Sequence, residues 1–377
     1  MNGEESIKRR VDAILAEVKA RGFDTVVFMN EIIGQNPANF LYVSGPWGYG
    51  EEHAALIFSV NGASTVVMPH WRASRMEEKH IYDHVIAIKQ EKGQHIKATK
   101  EALERFHDAK RVCFDLSTMS AQFALQTMKA LNANLNEKSD ISDHVFKLRM
   151  IKDQYELDEI KKAIRITEES VHELATNTRP GQTAIELKKK MDASMIEKGA
   201  IEFSFESTLS FAAGLPRPPG PIKYGDMLAV DVGCRVPSGY CSDMGRNIPL
   251  RPSSEVKDYL NQAISAHMES VKLIRDGAIA SEVLEGSNRV NAEYGFDPMV
   301  RCGHQIGLEC HDYTMPFAPN FGSLQEDRKP LKEGMTVTYE PPHNIAKKGL
   351  RTHFEDIILV AKGGPVILNK LPLDFFW

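Results

Sequence analysis

Apolar positions Ile7, Val11, Ile14, Leu15 and Val18 recur at helical spacing and predict an amphipathic helix over residues 4–21. The run DTVVFM (24–29) then reads as a strand. Two further apolar runs, 54–60 and 64–69, flank Asn61-Gly62. That dipeptide supplies the positive φ angles of a tight turn and predicts a β-hairpin. Strand-like runs at 84–88 and 111–116 alternate with helical stretches at about 96–107 and 119–131. Such alternation predicts a mixed sheet with helices packed on it, ending near residue 145.

The second half changes character. Leu157, Ile160, Ala163, Ile164 and Ile166 fall on one face of a long charged helix over 148–175. TRPGQT (178–183) interrupts the chain and caps a helix at 184–198. Residues 203–214 are strand-like, and 215–221 form a rigid proline-rich loop. Two strands, 226–236 and 240–250, are joined by a Pro237-Ser238-Gly239 turn. Helices follow near 254–275 and 280–294, and a strand-rich end covers about 299–362.

Composition narrows the class. At roughly 150 residues per domain, 377 residues suggest two or three domains. The chain is 42% hydrophobic and 26% charged, an ordinary globular balance that argues against disorder. The net charge of −5 offers no basic footprint for nucleic acid or an anionic membrane. No apolar run approaches the roughly 18 residues of a membrane span, and the charged N-terminus does not read as a secretory signal. The five cysteines form no CxxC pair and read as reduced thiols of a cytoplasmic protein. Cys302 and Cys310, on either side of His304, read as packing residues.

The candidate chemistry is carboxylate-rich. Asp231 lies in the apolar run LAVDVG and Asp243 in YCSDMGRN, the next strand of one hairpin. A carboxylate on a buried strand is costly unless a metal or a cation compensates it. His304 sits between glycines in CGHQIGLECH, Glu340 follows MTVTY, and Glu355 opens EDIILV. Four carboxylates and an imidazole suit two divalent ions such as Mn, Co, Fe or Zn better than a thiolate zinc site. Taken singly, each residue has a plainer reading as a turn cap, a loop histidine or a solvated strand end.

The segments VDVG…GYCSDMGRN, GHQIGLECHD, GMTVTYEP and FEDIILV, in that order, resemble the motifs of the pita-bread metallohydrolases: prolidase, aminopeptidase P, methionine aminopeptidase and creatinase. LRMIKDQYELDEIKKA resembles the helix that joins the two domains in the prolidase and creatinase branch, and NFLYVSG (39–45) is similar to that branch's N-terminal domain. The resemblance implies an α+β chain. A mixed α/β domain over 1–145 would precede a pita-bread domain over 146–377, a curved antiparallel sheet with helices. It also implies that Asp231 and Asp243 ligate one metal, that Asp243 and Glu355 bridge, and that His304 and Glu340 complete the other. Glu340 would shuttle the proton of a metal-bound hydroxide, and His311 would steady the oxyanion. A homodimer is a further expectation from the resemblance.

The sequence departs from this pattern in four places. Asp231 and Asp243 are twelve positions apart, one more than the prolidase pattern, so an extra residue sits in the turn or forms a bulge. Arg217 stands where a histidine is usual, and would favour an anionic group. Gln305 replaces a glycine. His353 replaces an arginine two residues before Glu355, with Arg351 two further back; an extended strand puts all three on one face. Arg217, His353 and Arg351 are therefore candidate substrate-binding residues, with His353 also read as a hydrogen-bond partner of a ligand.

The leading expectation is a dinuclear hydrolase that cleaves the C–N bond of a small peptide, as an Xaa-Pro dipeptidase does. The alternative is a non-peptide member of the superfamily acting on a small zwitterion or amide, by hydrolysis or as a dimethylsulfoniopropionate-lyase-like enzyme. A metal-free binding module fits least, because all five ligand positions are filled.

Overall fold

A computed structural model describes residues 2–374 except 32–37, 90, 92, 108, 118, 134, 135, 137, 213–219 and 313–327. The chain divides into two compact units, Met1–Arg149 and Met150–Trp377.

In the first unit, β1 (Thr25–Asn30), β2 (Ala54–Ser59), β3 (Ser64–Pro69), β4 (His84–Ile88) and β5 (Val112–Phe114) form one sheet in the order β4-β3-β2-β1-β5. The sheet is mixed: β1 runs parallel to β5, and β3 to β4, while β2 is antiparallel to both neighbours. The β2–β3 hairpin turns at Asn61-Gly62, with Gly62 at φ +95°. Asn2 and Glu5 form a capping box at the start of α1 (Gly3–Ala20), satisfying amide groups that the first helical turn leaves open; α2 (Ala38–Ser44) and α3 (His70–Lys79) follow along the chain. One core cluster gathers Val27, Ile57 and Val67 of the sheet with Ala102 and Phe123 of helices α4 (Gln94–Arg105) and α5 (Ala121–Leu131).

The helix expected over 148–175 is two helices, α6 (Ser142–Met150) and α7 (Gln154–Asn177). The break has a local cause. Asp153 accepts from the Glu156 amide and Glu156 accepts from the Asp153 amide, so this capping box starts a new helix. The Lys152 amide leaves the helical pattern to donate to Gly334. Thr183 and Glu186 repeat the device at α8 (Ala184–Glu197).

The second unit is built on antiparallel pairs. One sheet has the order β10-β8-β7, with β7 (Thr208–Phe211), β8 (Met227–Val232) and β10 (Met244–Pro249). Another has the order β11-β12-β13, with β11 (Thr336–Tyr339), β12 (Asp356–Leu359) and β13 (Val366–Ile367). A short pair joins β6 (Glu202–Phe203) to β9 (Cys234–Arg235). The two larger sheets are linked by a bridge between Gly245 and Glu355, with N···O distances of 3.3 and 3.1 Å. Helices α9 (Ser254–Ser270) and α10 (Ala280–Glu293) pack apolar faces against these strands: Leu260 and Ala263 with Met227 and Phe354, Val283 and Leu284 with Val337 and Ile358. Among the described residues no helix is long and apolar enough to cross a membrane.

Candidate metal centre

The hairpin register decides where its two aspartates point. Asp231 pairs with Gly245 and Val232 with Met244. The same register continues to the Arg235–Cys241 bridge, so no bulge intervenes. The extra residue between Asp231 and Asp243 is absorbed by the turn at 236–239, where Gly239 donates to Val236. Asp243 is therefore the diagonal neighbour of Asp231 on one face of the sheet.

His304 reaches that face from a different segment. Residues 302–305 lie against β11: the Thr338 amide donates to His304 O, and the Glu340 amide to Cys302 O. Gly303 permits the approach, since a Cβ there would lie 2.1 Å from the Thr338 carbonyl oxygen. Gln305 is accommodated without a left-handed backbone and bridges Val337. The same pairing that holds His304 also sets Glu340 at the end of β11. Glu355 enters through its bridge to Gly245.

These elements bring Asp231, Asp243, His304, Glu340 and Glu355 together. His304 Nε2 lies 3.5 Å from Asp243 Oδ2 and 3.7 Å from Glu340 Oε1. Its Nδ1 faces the Gln305 carbonyl oxygen at 3.1 Å, and must donate there. In the neutral ring this leaves the Nε2 lone pair directed at the carboxylates, the tautomer a metal requires. Among the described residues, Asp243, His304 and Glu355 form one group whose donor atoms all lie within 4.8 Å of one another; Asp231, His353 and Glu355 form a second, and Asp243, Cys310 and His311 a third.

The electrostatics show what such crowding costs. Burial, with Asp231 and Glu340 adding to it, pushes the Asp243 carboxyl well above the usual range. Burial and Glu355 raise Glu340 to about 7, against the opposing pull of Arg301 and His304. Burial and Asp243 raise Glu355 to about 7 as well. Three buried carboxylate oxygens, Asp243 Oδ1, Glu340 Oε1 and Glu355 Oε1, have no hydrogen-bond partner among the described residues. Unpaired buried oxygens in a cluster of like charge are what a divalent cation would compensate. The hard oxygen donors and the imidazole fit a pair of such ions.

His353 lies against these carboxylates. Although burial lowers its pKa, Asp231 and Glu355 hold the ring well above the usual histidine value. His311 stacks edge-on to His304, with ring centroids 4.2 Å apart. Burial and His304 push His311 down to about 4, so it is neutral at pH 7. Arg351 is exposed, and its backbone amide donates to the Ala212 carbonyl. Arg217 lies outside the described residues.

Two residues of the site escape a reading of the sequence for ligands. Cys310, expected only to pack, donates its thiol to Asp243 Oδ2 at 3.1 Å; burial and Asp243 keep it protonated. Arg246, inside β10, sends Nη1 to the Glu355 carbonyl at 2.7 Å and Nη2 to Asp356 Oδ1 at 2.6 Å. Burial alone would raise Asp356, but Arg246 and His267 hold it below its usual value. An arginine inside a fully buried strand is the sequence signal for such a support.

Residues 158–362 match the model of metallopeptidase family M24, and residues 10–151 that of the creatinase/prolidase N-terminal domain. The chain belongs to metallopeptidase family M24. An uncharacterized peptidase of Methanocaldococcus jannaschii is 32% identical over 245 residues, 62% of this chain and 67% of that protein. The Xaa-Pro dipeptidase of Pyrococcus horikoshii is 28% identical over 246 residues, 63% of this chain and 68% of that protein. Among solved structures, an X-Pro aminopeptidase from Thermotoga maritima has a TM-score of 0.80 at 22% identity, covering 95% of this chain and 99% of that one. The prolidase of Pyrococcus horikoshii has a TM-score of 0.75 at 23% identity, covering 97% and 99%. These structural likenesses establish the pita-bread fold behind a creatinase-type N-terminal domain. Membership makes the chain a metal-dependent hydrolase of the peptidase class.

Proposed function

We propose that this M24 member binds two divalent ions and hydrolyses the peptide bond of small Xaa-Pro substrates. The clustering of Asp231, Asp243, Glu340 and Glu355 about His304 and His353, with three buried carboxylate oxygens unpartnered among the described residues, carries this reading. Asp231, Asp243 and Glu355 would hold one ion; His304, Glu340 and the bridging Asp243 and Glu355 would hold the other. When bound, such ions supply Lewis-acid activation of a water and of the scissile carbonyl.

The chain's own groups supply the proton chemistry. Glu340, 3.7 Å from His304 Nε2 at the end of β11, would take a proton from the attacking water and return it to the leaving nitrogen. His311 is neutral at pH 7 and donates to the carbonyl oxygen as negative charge builds there. Arg217 and Arg351 are cationic groups for a substrate carboxylate. The relatives named as Xaa-Pro dipeptidase support the choice of substrate.

The test is hydrolysis of a panel of Xaa-Pro dipeptides by protein reconstituted with Mn, Co, Fe or Zn, with non-proline dipeptides as controls. Proline-dependent cleavage that vanishes in Asp243→Asn is expected. No cleavage by protein carrying two ions would overturn the peptide substrate and favour a small zwitterion or amide, a choice to which Arg217 would also be suited.

A further inference from the structure

His353 stands to Asp231 and Glu355 much as His304 stands to Asp243 and Glu340. His353 Nε2 lies 3.5 Å from Asp231 Oδ1 and 3.4 Å from Glu355 Oε2. The corresponding His304 separations are 3.5 and 3.7 Å. All four exceed the roughly 2.7–3.2 Å of a good N–H···O bond. They approach the spacing between neighbouring ligand atoms on one ion, about 3.0–3.4 Å when each bond is about 2.1 Å.

The ring is seated for this position. The side chain is 23% exposed, yet its Nε2 is buried and, among the described residues, faces Asp231 and Glu355 without a hydrogen bond of normal geometry. A Cβ on residue 245 would lie 2.4 Å from His353 Cδ2 and 2.9 Å from its Nε2, so Gly245 makes room for the imidazole beside the hairpin. The His353 amide donates to Asn247 Oδ1 at 3.4 Å, tying the same segment to β10.

We propose that His353 is a direct metal ligand on the Asp231 side of the centre, so that each of the two ions carries one imidazole. The inference rests on the two-ion reading above. It reassigns His353 from substrate contact to ligand. Its consequence is selectivity: an all-carboxylate side would suit Mn, whereas an added imidazole favours Zn, Fe or Co. The competing arrangement is an imidazolium that neutralises Asp231 and Glu355 without touching metal.

The experiment uses the full chain reconstituted with Co(II) alone. Bound cobalt is counted by elemental analysis, its affinity is read by chelator competition, and imidazoles per cobalt are counted by X-ray absorption. His353→Ala and His353→Gln are compared with wild type, and His304→Ala is the positive control. Wild type should hold two cobalt ions with an average of one imidazole each. At saturating cobalt both His353 variants should show half that average, with one ion held about tenfold or more weakly. An unchanged imidazole count overturns the proposal whether or not affinity falls; a fall without loss of imidazole assigns the counter-ion role. If wild type binds only one ion, the two-ion reading fails separately, and the dependence of its imidazole count on His353 still decides this inference. The glutamine variant retains a polar side chain, so a folding defect confined to alanine does not obscure the result.

Discussion

Gly245 and Glu355 pair backbone to backbone in the bridge that links the β10 sheet to the β12 sheet. Gly245 also lies opposite Asp231 in the hairpin. One residue thus fixes the spacing between a carboxylate of each sheet, and its missing side chain is the space His353 occupies. Gly245→Ala should cost about 1–3 kcal/mol of stability through overpacking, and should weaken metal binding as well. Urea unfolding and metal titration of the purified variant check both; wild-type values in the two assays would remove the bridge from the account.

Arg246 supports Glu355 from behind through the Glu355 carbonyl and Asp356. Arg246→Met leaves the buried Asp356 with His267 alone. Breaking a buried pair on one side costs about 3–5 kcal/mol, which urea unfolding should reveal. A variant that unfolds at the wild-type midpoint would mean the pair contributes nothing net.

Glu340→Gln keeps a possible oxygen ligand but removes the group that exchanges the proton. Turnover on a cleaved dipeptide should fall about 10²–10⁴-fold while circular dichroism stays native. Retention of full turnover would assign the proton to another residue.

The raised carboxyls set a pH signature. Glu340 and Glu355 move from 4.5 to about 7 in the folded chain, so the folded state binds more protons than the unfolded chain between those values. Their contribution to stability therefore falls as pH rises from about 4.5 to 7. His353, also raised, loses its contribution as pH climbs further through its own folded value. Bound metal needs these groups deprotonated and reverses the trend. The gap in Tm between metal-loaded and chelator-treated protein should widen from pH 5 to pH 8. A gap that narrows over that range contradicts the assignment of these groups as ligands.

Elements governed by local chemistry were legible in the sequence. Asn61-Gly62 specifies the β2–β3 turn, and the Thr183–Glu186 capping box starts α8 where the pattern places it. The break within the apparent helix over 148–175 was not, because the apolar spacing that defines that helix begins at Leu157, after Asp153 and Glu156 have capped a new helix. For the site, motif order brings out Asp231, Asp243, His304, Glu340 and Glu355. The roles of Cys310 and Arg246 depend on contacts 67 and 110 residues away along the chain, which no local pattern contains. Likewise, alternation along an extended strand groups Arg351 with His353 and Glu355. The fold brings His353 to 3.4 Å from Glu355 and leaves Arg351 exposed.

The most direct test of the central claim is the number of divalent ions the chain binds. Wild type, stripped by chelator and titrated with Mn or Co, should take up two ions per chain, with Asp243→Asn retaining at most one and losing the metal-dependent rise in Tm. Two ions bound with unchanged affinity in Asp243→Asn would contradict the bridging carboxylate on which the account rests.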